Sequence, residues 1–243
     1  MHKKRQESAR LGRYPAPMTR PTVALGTPRR AHPGFGTGHE VWIFRHGEVA
    51  EEFQGVAYGG MDVPLSQAGQ SDSIALAARF RGFPFKAIVA STLQRARTLG
   101  EFLAAESGAP LEIHGGLVEI FRGRFQGRPM KQLLAEHESE LAAIYDDPWN
   151  YRAHGGETDE DVLARSWPVL ESALARHGGP LAIACHYNVV RNLVAHALGI
   201  EPHVSFRLRV DLTSGVLLHD SPQGWRLLRA NVRSPGRSGV ATR

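Results

Sequence analysis

Three short apolar runs constrain this chain more than any other feature: "VWIF" at 41–44, "AIVA" at 87–90 and "LAIAC" at 181–185. Each is too short for a buried helix and has no polar residue to turn toward water. That is the pattern of strands buried on both faces of a parallel sheet. Segments of helical length lie between them. "LSQAGQSDSIALAARF" (65–80) opens with Ser66 placed as an N-cap, and "TLQRARTLGEFLAAES" (92–107) carries an apolar stripe of Ala96, Leu99, Phe102 and Leu103. "NVVRNLVAHALGI" (188–200) is expected to stop at Gly199. "ETDEDVLARSWPVLESALARH" (157–177) is the longest helical pattern; Thr158 and Asp161 resemble a capping box, and Pro168 should kink or divide it. A short strand within 111–117, a helix near 130–144 and two or three strands within 205–232 complete the order. The expected fold is α/β with three layers, a mostly parallel central sheet carrying helices on both faces.

The 243 residues divide into a basic Pro/Gly/Arg-rich tail (1–39), expected to be disordered, one domain (40–232) and a flexible C-terminal tail (233–243). Residues 1–40 hold eight Lys/Arg and two Glu, and the remainder 21 Lys/Arg and 22 Asp/Glu, so the net charge of +5 arises in the tail. The body has no basic excess, which leaves no case for specific nucleic-acid binding. No run approaches the ~18 apolar residues of a membrane helix. Arg29-Arg30 is followed by no apolar segment, so no secretory signal is expected there. The single Cys185 excludes an internal disulfide framework and reads as a small buried hydrophobe; the expected location is cytoplasmic. "GFGTG" precedes the first strand and is no dinucleotide fingerprint, and the twelve histidines show no metal-ligand spacing.

Ligands of open α/β sheets sit at the carboxyl ends of the strands. The first strand ends in Arg45-His46, the second runs into Ser91 with Arg95 one turn into the next helix, and the third ends at His186. Two arginines and two histidines around one point repel each other unless an anion lies between them. Phosphate fits best, with nearly two negative charges and several acceptor oxygens. A neutral imidazole can attack phosphorus while another donates protons, and a leaving alkoxide needs an acid, for which Glu119 is placed.

Six ordered segments carry a resemblance: "FRHGE" (44–48), "YGGMDVPLSQAG" (58–69), "ASTLQRARTLGEFLA" (90–104), "LVEIFRGRFQG" (117–127), "HGGET" (154–158) and "ACHYNVVR" (184–191). Together the chain resembles the histidine phosphatase superfamily, with its phosphoglycerate mutase-like fold. The resemblance implies His46 as nucleophile, Glu119 as proton donor, and Arg45, Arg95 and His186 as the phosphate pocket, with His186 also catalytic. It implies a small phosphomonoester substrate and neither metal nor organic cofactor. Tyr187 and Asn188 stand where the family usually has glycine, so Tyr187 is expected to narrow the pocket or touch substrate. Tyr58, His154, Glu157, Tyr187 and Asn188 are the candidates for lining the substrate, although "HGGET" also reads as a glycine turn before a helix. The modest stretch between Glu119 and "HGGET", and the lack of an asparagine shortly after Arg45-His46-Gly47, favour a phosphatase over a mutase. "FRLRVDLTSG" (206–215) is similar to the alpha-ribazole phosphatases; sugar phosphates, nucleotides and phosphoglycerates stay open as substrates. A mutase-type phosphotransferase and a catalytically weak phosphate-binding scaffold are the alternatives, and a homodimer is left open. Arg207 and Arg209 alternate on an expected strand as a solvated face.

Overall fold

The computed structural model describes His32 and residues 34–233. Its strands are β1 (Glu40–Arg45), β2 (Ala87–Ser91), β3 (Leu111–His114), β4 (Leu181–Cys185), β5 (Ser214–Ser221) and β6 (Gly224–Val232). They form one sheet in the order β3-β2-β4-β1-β5-β6. The first four run parallel, and β5 and β6 are antiparallel additions at one edge.

The helices are α1 (Gln67–Ala78), α2 (Gln94–Ser107), α3 (Met130–Glu136), α4 (Glu138–Asp146), α5 (Asp159–His177), α6 (Tyr187–Leu198) and α7 (Pro202–Ser205). Alternation along the buried strands sorts them into two layers. Trp42, Phe44, Ile88 and Ala182 face α1 and α2 through Leu76, Ala77, Leu99 and Leu103. Val41, Ile43, Val89, Leu181 and Ile183 face α5 and α6 through Val162, Leu170, Val190 and Leu193. Both faces are dry, which is why no polar residue interrupts the three runs. Burial of each large apolar side chain stabilises the fold by about 1.5–3 kcal/mol. None of the described helices is long and apolar enough to cross a membrane.

The register positions the site. Arg45 lies opposite Cys185, so His46 and His186 follow at the same level; Ala90 lies opposite Ala184, which brings Ser91 level with Arg45 and Cys185, one residue before the two histidines. Two glycines let the chain after His46 press onto the start of α1: a Cβ on Gly47 would stand 2.5 Å from the Gly69 carbonyl oxygen, and one on Gly69 2.1 Å from that of Glu48.

Several expectations are corrected. The single helix near 130–144 is two, broken at His137 (φ −135°), whose ring is held by Glu140 at 2.8 Å and Arg128 at 3.0 Å. α5 runs undivided through Pro168, closed at its start by the Thr158–Asp161 capping box and held along its length by a buried apolar face. Residues 206–213 form no strand. Arg45 takes the carbonyl of Val210 (2.6 Å), Arg209 turns back to Asp211 (2.8 Å), and Thr213 adopts a left-handed φ of 49°. A ladder cannot form where its acceptors and dihedrals are used this way.

The tail boundary at residue 39 falls among native contacts. The amides of Phe35, Gly36 and Thr37 donate to the carboxylate of buried Asp220 at 2.7, 3.1 and 2.9 Å, and the Thr37 hydroxyl adds a bond of 2.6 Å. The Phe35 ring meets Trp225 edge-on. The expectations for residues 1–31, 33 and 234–243 lie outside the described residues.

Candidate active site

His46 is the first residue beyond β1. Its amide donates to the Cys185 carbonyl (3.1 Å), its own carbonyl accepts from Thr213 (3.0 Å), and the ring is 1% exposed. Nδ1 is 2.7 Å from the Gly47 carbonyl oxygen, an acceptor only, so Nδ1 carries the proton and Nε2 keeps its lone pair. Arg95 confirms this tautomer by donating Nε–H to that same Nε2 at 3.3 Å. Burial, then the Arg95 and Arg45 charges, hold the His46 pKa well below the ordinary histidine value, so the ring is neutral near pH 7.

His186 follows β4 at the N-cap position of α6, its ring centroid 5.2 Å from that of His46. Nε2 lies 2.8 Å from Ser91 Oγ, and that hydroxyl already accepts from the Leu93 amide at 3.2 Å. With one hydrogen and two lone pairs, the hydroxyl satisfies Nε2 in either tautomer of His186. His186 Nδ1 is buried without a protein partner, as is Nε of Arg45. Burial, followed by Arg95 and His46, lowers the His186 pKa well below its usual value.

Arg95 is fully buried in α2, with its terminal nitrogens on the carbonyls of Met61 (2.6 Å) and Gly59 (2.7 Å) and its guanidinium over Tyr58. Arg45 is half-buried and stacks its guanidinium 5.2 Å from the centre of the Tyr187 ring. Tyr187 thus flanks an arginine of the centre, and burial raises the Tyr58 hydroxyl pKa against the pull of Arg45 and Arg95.

Glu119 is 6% exposed, in the loop after β3. Oε1 accepts from its neighbour's amide, Ile120 (2.8 Å), and Oε2 from the Asn188 amide at the first turn of α6 (3.3 Å). The loop is clamped by Arg165, a residue that nothing in the sequence singled out. Its guanidinium donates to the carbonyls of Gly116 (2.8 Å) and Val118 (2.7 Å) and forks onto Glu157. Glu157 in turn accepts from the Phe121 amide at 2.9 Å. Its carboxylate is thereby committed to holding the loop.

A cleft opens beside Glu119, lined among others by Ile120, Arg122, Tyr151, His154, Asn188 and Phe206. His154 is buried between the parallel rings of Tyr151 and Phe125, and burial with the nearby Arg122 and Arg124 lowers its pKa. The sequence had named His154, Glu157 and Asn188 here but not Arg122, Tyr151 or Phe206. Beneath lies a buried network in which Arg191 donates to Asp159 (2.5 and 2.7 Å), Ser205 (2.6 Å) and Asn188 (3.1 Å). Cys185 is buried, and burial raises its thiol pKa. Among the described residues no three His, Cys, Asp or Glu side chains are grouped as metal ligands.

The model of the histidine phosphatase superfamily (branch 1) matches residues 41–233. A probable phosphoglycerate mutase from Erwinia tasmaniensis is 27% identical over 173 residues, covering 70% of this chain and 80% of that protein. An adenosylcobalamin/alpha-ribazole phosphatase from Escherichia coli is 24% identical over 176 residues, covering 70% and 85%. Among solved structures, the mycobacterial glucosyl-3-phosphoglycerate phosphatase with VO3 superposes with a TM-score of 0.71 at 27% identity, covering 80% of this chain and 99% of that one.

Proposed function

The chain belongs to the histidine phosphatase superfamily, and we propose that it hydrolyses a small phosphomonoester through a phosphohistidine formed on His46. One observation carries this reading: a neutral, buried imidazole whose Nδ1–H is fixed on Gly47 keeps Nε2 as its nucleophilic atom, accepting from Arg95 and flanked by Arg45 and His186, so that phosphorus takes the place of the Arg95 bond. In the first step Nε2 attacks phosphorus, the P–O ester bond breaks, and Glu119, as the acid, gives its proton to the departing alkoxide. The Gly47 carbonyl stabilises the charge that develops on the ring. Arg45 and the Nδ1–H of His186 serve the phosphoryl oxygens. In the second step Glu119 takes a proton from water, the water oxygen bonds to phosphorus, and the P–N bond breaks to release phosphate and restore His46.

The phosphatase names of two relatives, alpha-ribazole phosphatase and glucosyl-3-phosphoglycerate phosphatase, support hydrolysis over mutase activity. Segment 206–213, which carries the likeness to alpha-ribazole phosphatases, is held to this centre through the Val210 carbonyl and the Thr213 amide. The reading extends to a single catalytic domain over 40–232 that needs no metal or cofactor. Phosphate release from a panel of phosphorylated metabolites, assayed with EDTA present, tests it. Release from at least one ester is expected. Turnover that requires added metal, or isomerisation without release, would overturn it.

A further inference from the structure

The inner arginines of this fold divide by what holds them. Arg165 is forked onto Glu157 and Arg191 onto Asp159, so a carboxylate neutralises each. Arg45 and Arg95, the two beside His46, have no carboxylate partner among the described residues. Besides its bond to His46, Arg95 donates to the carbonyls of Met61 and Gly59, and its guanidinium carbon lies 4.9 Å from the centre of the Tyr58 ring. Arg45 donates to the Val210 carbonyl, and its guanidinium carbon lies 5.2 Å from the centre of the Tyr187 ring. Its Nε is buried and meets no protein acceptor.

Chain placement builds the Arg45–Tyr187 contact. Arg45 ends β1 opposite Cys185, and Tyr187 opens α6 two residues beyond Cys185, directly after His186. Tyr187 is itself packed against the apolar core between the sheet and helices α5 and α6, so its ring is a fixed surface. A half-buried guanidinium is costly to hold away from water without an anion, and its long side chain loses rotamer freedom when an anion captures it. A carboxylate would remove both costs, but it would cancel the charge and compete with phosphate for the N–H donors. The face of an aromatic ring attracts the cation and carries no net charge of its own.

We propose that Tyr187 is a positioning residue of the reaction: its ring holds the Arg45 guanidinium where phosphate meets it and leaves the positive charge whole for that anion. The inference rests on the phosphatase reading for the ligand of Arg45. Tyr187 acts through Arg45, and the substrate's alcohol part is not its partner.

Two variants separate the ring face from the hydroxyl and from mere bulk: Tyr187→Phe keeps the face, and Tyr187→Leu keeps apolar packing without it. Calorimetry with inorganic phosphate should show Kd raised by about 5-fold in Tyr187→Leu, the scale of a partly desolvated cation–π contact, and most of the affinity kept in Tyr187→Phe. In an Arg45→Gln background the same Tyr187→Leu change should move Kd by less than about 2-fold, because the residue it acts through is gone. A general packing defect would persist in that background. Equal loss with and without Arg45, or equal loss in the Phe and Leu variants, overturns the proposal. Arginine side-chain NMR of the phosphate-free protein reads the positioning without a ligand. The buried Nε–H of Arg45 should be protected from solvent exchange in wild type and Tyr187→Phe and lose that protection in Tyr187→Leu; unchanged protection overturns the proposal. If wild type binds no phosphate while the protection still depends on the ring, the phosphatase reading falls and the hold of Tyr187 on Arg45 stands.

Discussion

Arg95 directs its Nε–H at Nε2 of His46 across 3.3 Å, while the other nitrogen of that ring lies 2.7 Å from the Gly47 carbonyl. The guanidinium cannot drift, because Met61 and Gly59 hold its terminal nitrogens. One arginine thus keeps the nucleophile in a single tautomer and depresses its basicity. Arg95→Gln should lower kcat/KM by about 10²-fold or more, the scale of removing one preorganised donor. It should also move the His46 titration upward, since a positive neighbour is lost while burial remains. Imidazole chemical shifts followed against pH check this; an unmoved titration would mean Arg95 acts on phosphate alone.

The two buried histidines also predict the pH dependence of stability. Both have pKa values lowered in the folded state, so below about pH 6.5 the unfolded chain binds protons that the native chain does not. Stability should be unaffected by these groups above that pH and fall progressively beneath it. Urea midpoints at pH 7.5 and 5.0 measure the loss. His186→Gln should shrink the difference, and an unchanged difference would assign acid sensitivity to other groups.

Ser91 holds Nε2 of His186 through a 2.8 Å bond. Ser91→Ala removes the group that orients the ring and should reduce the affinity for inorganic phosphate by about 10-fold, as loss of one donor to a charged ligand would. Calorimetry with phosphate reads this directly. Full retention of affinity would show that Nδ1–H of His186 does not serve phosphate.

Asp220 predicts a structural role for residues that composition assigned to the tail. Burial works against its charge, yet the Thr37 hydroxyl and the amides of Thr37, Phe35 and Gly36 hold its pKa below the ordinary value. Asp220→Ala leaves those three amides without acceptors and should cost about 1–3 kcal/mol. Deleting residues 1–39 removes the donors instead and should lower Tm in the same direction. Since the carboxylate's pKa is depressed, its contribution is present above pH 4 or so and lost as pH falls through the folded value. Thermal melts of the two variants at pH 7 decide it; unchanged melting would show that these bonds are not formed in solution.

What the sequence made legible follows from distance along the chain. Strands β1, β2 and β4 announce themselves because both faces are buried, and their ends expose Arg45, His46, Ser91 and His186 as polar residues with no local reason to be there. Parallel register then brings them to one edge, within one residue of each other. Arg122, Tyr151 and Phe206 stayed hidden because they belong to three loops that meet only in the tertiary structure. Arg165 was hidden for another reason: on α5 it looks like an ordinary helix-surface cation, and only the folded loop supplies the carbonyls it holds. Alternation in "FRLRVDL" suggested a strand, whereas Arg45 had already taken a carbonyl the ladder would need. The contacts of residues 35–37 are not legible in sequence because a glycine-rich stretch says nothing of the distant carboxylate that binds its amides.

Glu119 predicts a dependence on the leaving group. Glu119→Gln should slow hydrolysis of alkyl esters by about 10²–10⁴-fold, since it removes a proton donor while leaving the positive centre in place. The loss should shrink for an aryl phosphate, whose phenolate departs with little protonation. Parallel kcat/KM values for the two classes measure it. Equal losses would assign the acid to another group.

The central claim is a covalent bond between phosphorus and His46, and acid-free rapid-quench mass spectrometry tests it most directly. Wild type mixed with a turned-over phosphomonoester should carry one acid-labile, base-stable phosphoryl group, and peptide mapping should place it on His46. His46→Ala should carry none and should lose at least about 10³-fold in turnover. A phosphoryl group mapped to another residue, or His46→Ala turning over at the wild-type rate, would contradict the account.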